Sequence, residues 1–221
     1  MHKFLLQNGV GAREEGGHNL LFLGAHADDI EIGCGGTVLR LLREYPVGHI
    51  WWVVFSADEE RAEEARQSAS VLLAGVERQH IEILSFADGF FPYSGPRIKE
   101  YFESLKNLVS PDVIFTHYRN DLHQDHRLVS ELTWNTFRDH LILEYEVLKY
   151  DGDLGTPNLF VHLTPEACRQ KVDHIRQQFG SQNGRHWFAD DTFLSVLRLR
   201  GMESNAPGKF AEGFYCRKVV M

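Results

Sequence analysis

The sequence predicts an α/β domain with a mainly parallel sheet and helices on both faces. Short, continuous apolar runs of strand length alternate with longer amphipathic stretches. Two of the runs end in unusual clusters of histidine and aspartate. No repeat, low-complexity tract or Pro/Ser-rich linker interrupts the alternation, so residues 1–221 are expected to form one domain. Hydrophobic residues make up 43% and charged residues 24%, the balance of a soluble globular chain.

Residues 1–18 form a polar, glycine-rich lead-in containing Gly9, Gly11, Gly16 and Gly17. Residues 19–24 are continuously apolar after Asn19, as expected of a strand buried on both faces. A helix is expected over 37–44, a second strand over 49–55 and a charged amphipathic helix over 59–73. Trp51 and Trp52 fall in the second strand as core or interface residues, and the charge run 58–64 reads as a solvated helix face. A third strand follows at 81–84, and Asp88-Gly89 marks a turn. Phe90, Phe91, Pro92 and Tyr93 after it read as core, with an aromatic wall for a sugar ring as the other reading. A helix over 96–109 carries proline near its start. The fourth strand is 112–116, and a helix is expected over 124–140. Strands at 143–148 and 159–163, helices at 165–179 and 191–200, and a closing strand at 214–219 complete the chain. This order describes a Rossmann-like domain with right-handed crossovers.

Charge and composition exclude several functions. Asp and Glu outnumber Lys and Arg by 31 to 23, for a formal charge of −8. That balance disfavours nucleic acid and anionic membrane surfaces as partners. No apolar run reaches the length of a membrane span. The N-terminus offers only Phe4-Leu5-Leu6, too short for a secretion signal, so a cytoplasmic location is expected. Three separated cysteines, Cys34, Cys168 and Cys216, support neither a disulfide framework nor a cysteine metal site.

The two polar clusters sit where open α/β sheets place their sites, just beyond the carboxyl ends of strands. His26-Ala-Asp28-Asp29 follows the first strand, and His123-Gln-Asp125-His126 follows the fourth. First and fourth strands are neighbours in the common doubly wound order, which lets the clusters face one another. Taken singly, Asp28 and Asp29 suit a helix cap, and His123 and His126 a solvated helix start. Together, imidazoles and carboxylates suit a divalent metal, and three ligands with one open position suit metal-assisted hydrolysis.

The stretches AHADDIEIGCGGT and THYRNDLHQDH resemble the two signature motifs of the zinc-dependent N-deacetylases of the PIG-L/LmbE type. Arg61 and Glu64, three apart on a helix, and Ala211-Glu212-Gly213-Phe214 resemble further pieces of that family. Two departures are visible, Ala27 and Gln124 standing where the family usually has proline. Neither position supplies a ligand, so altered loop stiffness is expected and not lost chemistry. The resemblance implies zinc, or another divalent metal such as Fe2+, on His26, Asp29 and His126, with Asp28 as general base. It implies Arg61 as a substrate-binding residue and an N-acetylated amino sugar as the substrate. His123, if protonated, suits stabilisation of the oxyanion, and Asp125 is expected to hold His123 and favour its charged form. Exposed aromatics would be compatible with self-association into a homo-oligomer.

Two rival readings rest on the same residues. His26-x-Asp28 with a distant His126 also spells the two-histidine, one-carboxylate pattern of iron(II) oxygenases, though those with an HxD pair generally use an all-β barrel. Gly33-Cys34-Gly35-Gly36-Thr37 invites a phosphate cradle in a non-catalytic metal- or nucleotide-binding module. The third glycine of the dinucleotide fingerprint is replaced by Val38, so close loop–helix packing is the preferred reading of these glycines.

Overall fold

In a computed structural model that describes residues 17–219, one mostly parallel sheet runs through the molecule in the order β3-β2-β1-β4-β5-β7-β6. Its strands are β1 (His18–His26), β2 (Val47–Ser56), β3 (Gln79–Ile83), β4 (Val113–His117), β5 (Leu141–Tyr145), β6 (Leu159–Leu163) and β7 (Phe210–Cys216). The helices are α1 (Asp29–Glu44), α2 (Glu59–Leu72), α3 (Gly95–Leu108), α4 (Gln124–Thr136), α5 (Pro165–Gln178) and α6 (Asp190–Glu203). Strands β1 to β5 pair in parallel, while β7 runs antiparallel between β5 and β6. The expected adjacency of the first and fourth strands holds: Leu20, Leu21 and Phe22 pair with Val113, Ile114 and Phe115. The lead-in expected over 1–18 falls almost wholly outside the described residues, as do the last two positions.

Side-chain alternation splits the core into two layers. Leu20, Phe22, Ile50, Trp52, Val54 and Phe115 face α1, α2 and α5, meeting Ile30, Val38, Ala65, Ala69, Val172 and Ile175. The intervening Leu21, Leu23, Val53, Phe55 and Ile114 face α3 and α4, meeting Ile98, Phe102, Leu105 and Val129. Because β1 and β4 are covered on both faces, they read as unbroken apolar runs.

Helix α1 begins eight residues earlier than its sequence suggests, directly at the end of β1. The glycines hide this segment from a propensity reading, yet they are why it fits. A Cβ on Gly33 would lie 2.1 Å from the Tyr145 ring, and one on Gly36 would lie 2.5 Å from Leu163 Cδ1. The helix therefore lies directly on β5 and β6 and kinks at Cys34, whose φ of −143° is non-helical. The kink exposes backbone amides that Glu212 of β7 satisfies, its carboxylate accepting from Gly36 N at 2.9 Å and Thr37 N at 2.6 Å. Lys171 neutralises that carboxylate at 2.6 Å and also donates to Ile32 O. A protein carboxylate thus holds the amides that a phosphate cradle would offer. The nucleotide reading loses its site, and the segment Ala211-Glu212-Gly213-Phe214 acquires a structural role.

Candidate active site

The loops after β1 and β4 converge at the carboxyl edge of the sheet. His26 is the last residue of β1, a two-residue turn of Ala27 and Asp28 follows, and α1 opens at Asp29 with Asp28 in the capping position. Although Asp28 sits at the helix N-terminus, its side chain makes no capping bond. Asp29 instead folds back, Oδ2 accepting from the His26 amide at 2.6 Å. On the other side, His123 caps α4: its Nδ1 accepts from the Asp125 amide at 3.3 Å, and Asp125 and His126 follow in the first turn.

Three donor atoms meet between the loops. His26 Nδ1 lies 3.2 Å from His126 Nε2 and 3.3 Å from Asp29 Oδ2, and His126 Nε2 lies 3.5 Å from the same oxygen. Ligands about 2.0–2.1 Å from a tetrahedral zinc stand about 3.3–3.4 Å apart, so the spacing fits a metal triad. All three side chains are less than 10% exposed. Outer carboxylates set the tautomers. His126 Nδ1 donates to Asp121 at 2.9 Å, which leaves Nε2 as a lone pair, and His26 Nε2 faces Asp125 Oδ2 at 3.3 Å, which leaves Nδ1 as another. Two lone pairs and a carboxylate oxygen then converge, and only a proton or a cation between them relieves the repulsion.

The titration behaviour reflects this. Burial lowers His26, but Asp29 and the neighbouring carboxylates outweigh it and hold the imidazole well above its ordinary value. Burial and the adjacent His117 push His126 down to about 4, the neutral form that ligates metals. Burial would raise Asp29, but His126, His117 and His26 hold it well below the usual carboxylate range.

Asp28 lies beside this triad and differs from its neighbour. Arg61 donates to its Oδ1 at 2.8 Å, while Oδ2 is buried with no hydrogen-bond partner among the described residues. Burial raises the Asp28 carboxyl against the pull of Arg61. Arg61 itself is placed by the capping of α2, where Asp58 accepts from its amide at 2.9 Å. The residue expected to bind substrate therefore holds Asp28, and Glu64 one turn on accepts from Ser181 N and Oγ.

The contacts of Asp125 differ in part from the expectation that it holds His123 and favours its charged form. The Asp125 carboxylate does not hold His123. It is fully buried and accepts from the Gly89 amide at 2.7 Å and the Phe91 amide at 3.1 Å. These amides, at the entry to the short helical turn Phe91–Ser94, have no helical partners and take the nearest carboxylate. His123, half-buried, is lowered from its usual value by burial first and by His26 next, with the Asp125 charge pulling the other way. With Nδ1 accepting at the cap, the neutral ring carries its proton on Nε2 and remains a donor.

Several participants escaped the sequence reading. Asp121 orients His126 and is itself held by Lys149 at 2.8 Å; Lys149 also pairs with Asp153 at 2.6 Å, tying the 149–153 segment to the site. His117, the last residue of β4, stacks on His126 with ring centroids 3.9 Å apart and stands 3.2 Å from Asp29 Oδ2. Asp88, read as a turn residue, places Oδ1 3.0 Å from His26 Nε2. Of the aromatics that follow it, Phe91 is core, whereas Phe90 and Tyr93 are exposed.

Known proteins of the same architecture carry out more than one reaction. N,N'-diacetylchitobiose deacetylase from Pyrococcus horikoshii superposes with a TM-score of 0.68 at 20% identity, over 91% of this chain and 84% of that one. The zinc-inhibited form of teicoplanin deacetylase Orf2 matches with a TM-score of 0.69 at 13% identity, over 90% and 97%. The 4-carboxy-2-hydroxymuconate hydratase GalB from Pseudomonas putida KT2440 matches with a TM-score of 0.67 at 15% identity, over 92% and 98%. At these identities the likeness is one of fold, and it sets aside the all-β barrel of the oxygenase alternative. Kinship is carried by the sequence itself: residues 21–137, more than half of the chain and spanning both clusters, match the PIG-L family of GlcNAc-PI de-N-acetylases, and the chain belongs to that family.

Proposed function

We propose that this protein is a metal-dependent N-deacetylase that removes acetate from the amide nitrogen of an N-acetylated amino sugar, with zinc as its metal. The observation that carries the reading is the convergence of His26 Nδ1, Asp29 Oδ2 and His126 Nε2 within 3.5 Å, beside a buried Asp28 oxygen that has no partner among the described residues. Membership of a de-N-acetylase family and the N-acetylated sugar in the name of the chitobiose enzyme support the substrate class.

His26, Asp29 and His126 are the residues that would hold the ion. A zinc ion bound there supplies water of lowered pKa and polarises the amide carbonyl. Asp28 Oδ2 takes the proton of the attacking water, while Arg61 fixes the other oxygen and so the direction of the free one. His123 offers its Nε2 proton to the carbonyl oxygen as that oxygen gains negative charge, an interaction stronger in the transition state than in the ground state. Asp28 then returns its proton to the nitrogen. The amine leaves, acetate forms, and the carboxylate is regenerated for the next cycle.

The test is acetate release from a panel of N-acetylated sugars by the zinc-loaded protein. Release from at least one member, abolished by chelation and restored by zinc, is the expected result. Absence of amide hydrolysis together with hydration of an unsaturated carboxylic acid would assign the chain to the hydratase chemistry of its other structural neighbour.

A further inference from the structure

We propose that a second divalent cation binds beside the first, in a site formed by Asp88, His123, Asp125 and the outer nitrogen of His26, and that filling this site inhibits the enzyme. The proposal rests on the reading of His26, Asp29 and His126 as the first site.

Each of these four side chains offers a nitrogen or oxygen atom within 4.8 Å of the others. His26 Nε2, which points away from the first triad, lies 3.0 Å from Asp88 Oδ1 and 3.3 Å from Asp125 Oδ2. The ring of His123 packs edge-on against His26 with centroids 4.9 Å apart. Two imidazoles and two carboxylates form a donor set suited to zinc and its first-row neighbours.

The backbone arranges this second group as deliberately as the first. Gly89 has a φ of +78°, a conformation that favours glycine, and this turn aims its own amide at Asp125 while the preceding Asp88 carboxylate reaches His26. Asp88 is a surface residue, 64% exposed, yet its carboxylate leans onto a buried imidazole. That exposure gives an ion direct entry from solvent.

The chemistry balances without a further reactant. The proton on His26 Nε2, shared with the two carboxylates, leaves to solvent as the cation arrives. His26, its Nδ1 given to the first ion and its Nε2 proton lost, is then an imidazolate, and with Asp88 and Asp125 it supplies the negative charge that holds the second cation. His123 becomes a ligand, so its Nε2 donor is no longer available to the carbonyl oxygen of the substrate. Inhibition follows from that loss and reverses when the second ion is withdrawn.

The experiment starts from protein carrying one zinc per chain and dialyses it against rising free zinc. Bound metal and acetate release are measured in the same samples, for the native chain and for Asp88→Asn and Asp88→Ser. The native chain should take up a second equivalent, with the rate falling at the same midpoint. Both variants should retain the first equivalent and the native melting temperature. Their midpoints for the second uptake and for inhibition should rise by at least the ~10–100-fold that loss of even an outer metal partner costs. Saturation of the native chain at one equivalent overturns this proposal alone. So do variants whose midpoints match the native ones. A chain that takes up no zinc overturns the first-site reading and this one with it.

Discussion

Replacing Asp125 by asparagine separates the role its spacing suggests from the role its contacts show. The carboxylate is fully buried and accepts from the amides of Gly89 and Phe91. Asparagine keeps one acceptor oxygen and turns the other position into a donor, so one of the two amides meets an NH2 group. A buried donor without an acceptor costs about 1–3 kcal/mol. The lost bond is charge-assisted, which places the cost in the upper half of that range, about 2–3 kcal/mol. For a chain of this size each kcal/mol moves Tm by about 2–4 °C, giving a fall of roughly 4–12 °C. The same change loosens the partner of His26 Nε2, so zinc affinity should drop about 10–100-fold. Thermal melts of the zinc-free proteins and zinc competition against a chromogenic chelator measure the two effects. A Tm within about 2 °C of native and unchanged zinc affinity, with the alkaline limb of a separately measured pH–rate profile displaced to lower pH, would refute the reasoning. That outcome would return Asp125 to its expected role beside His123.

Four further outcomes follow from the same geometry. His126→Ala should lose most of its bound zinc while keeping the far-ultraviolet circular dichroism of an α/β fold; full occupancy would remove His126 from the ligand set. Asp28→Asn should retain zinc and lose about 10²–10⁴-fold in kcat, the usual value of a general base; loss of zinc instead would mean that Asp28 and Asp29 have exchanged roles. His123→Ala should lower kcat roughly 10²–10³-fold with metal content unchanged, the effect of one oxyanion donor; unaltered kcat would make it a helix cap alone. Burial raises the Glu31 carboxyl from 4.5 to about 8, so the folded state binds its proton more tightly than the unfolded chain does. Its stabilising contribution is complete below about pH 4.5 and is lost as pH rises towards about 8. Glu31→Gln should therefore flatten the decline of Tm over that window, and an unchanged slope would show that the carboxyl titrates normally.

How far the fold could be read ahead depended on local pattern. The strands buried on both faces announced themselves, since nothing polar interrupts residues 20–23 or 113–115. The early start of α1 did not. Gly33 and Gly36 are poor helix formers, and they are present because Tyr145 and Leu163 occupy the space their side chains would need. Those two residues lie more than a hundred positions downstream, so the contact that makes the helix possible leaves no local trace. Strand β7 was misplaced by four residues for a related reason. Its register is set by Glu212 reaching the α1 kink and by Phe210 pairing with Leu163, and the apolar run 214–219 carries no sign of either.

The site divides along the same line. His26, Asp28, Asp29, His123 and His126 cluster in two short stretches, and their residue types alone suggest a metal and a base. The residues that aim them are dispersed. Asp121 stands only five positions from His126 and was visible in the same loop, but nothing in the sequence says that its oxygen meets Nδ1. Asp88 lies in a segment that looks like an ordinary turn, and Arg61 looks like one charge among several on a solvated helix. The reason is physical. A ligand must present a particular atom type, which restricts the residue, whereas an orienting partner need only place some acceptor or charge at hydrogen-bond distance from it. Asp125 shows how this misleads: its position beside His123 implied a contact, yet a helix start directs adjacent side chains apart, and the carboxylate found two unpaired amides across the loop instead. Spacing within a motif thus identifies which groups take part in the chemistry, while the division of labour among them is decided by the backbone amides and distant carboxylates that the fold brings to each one.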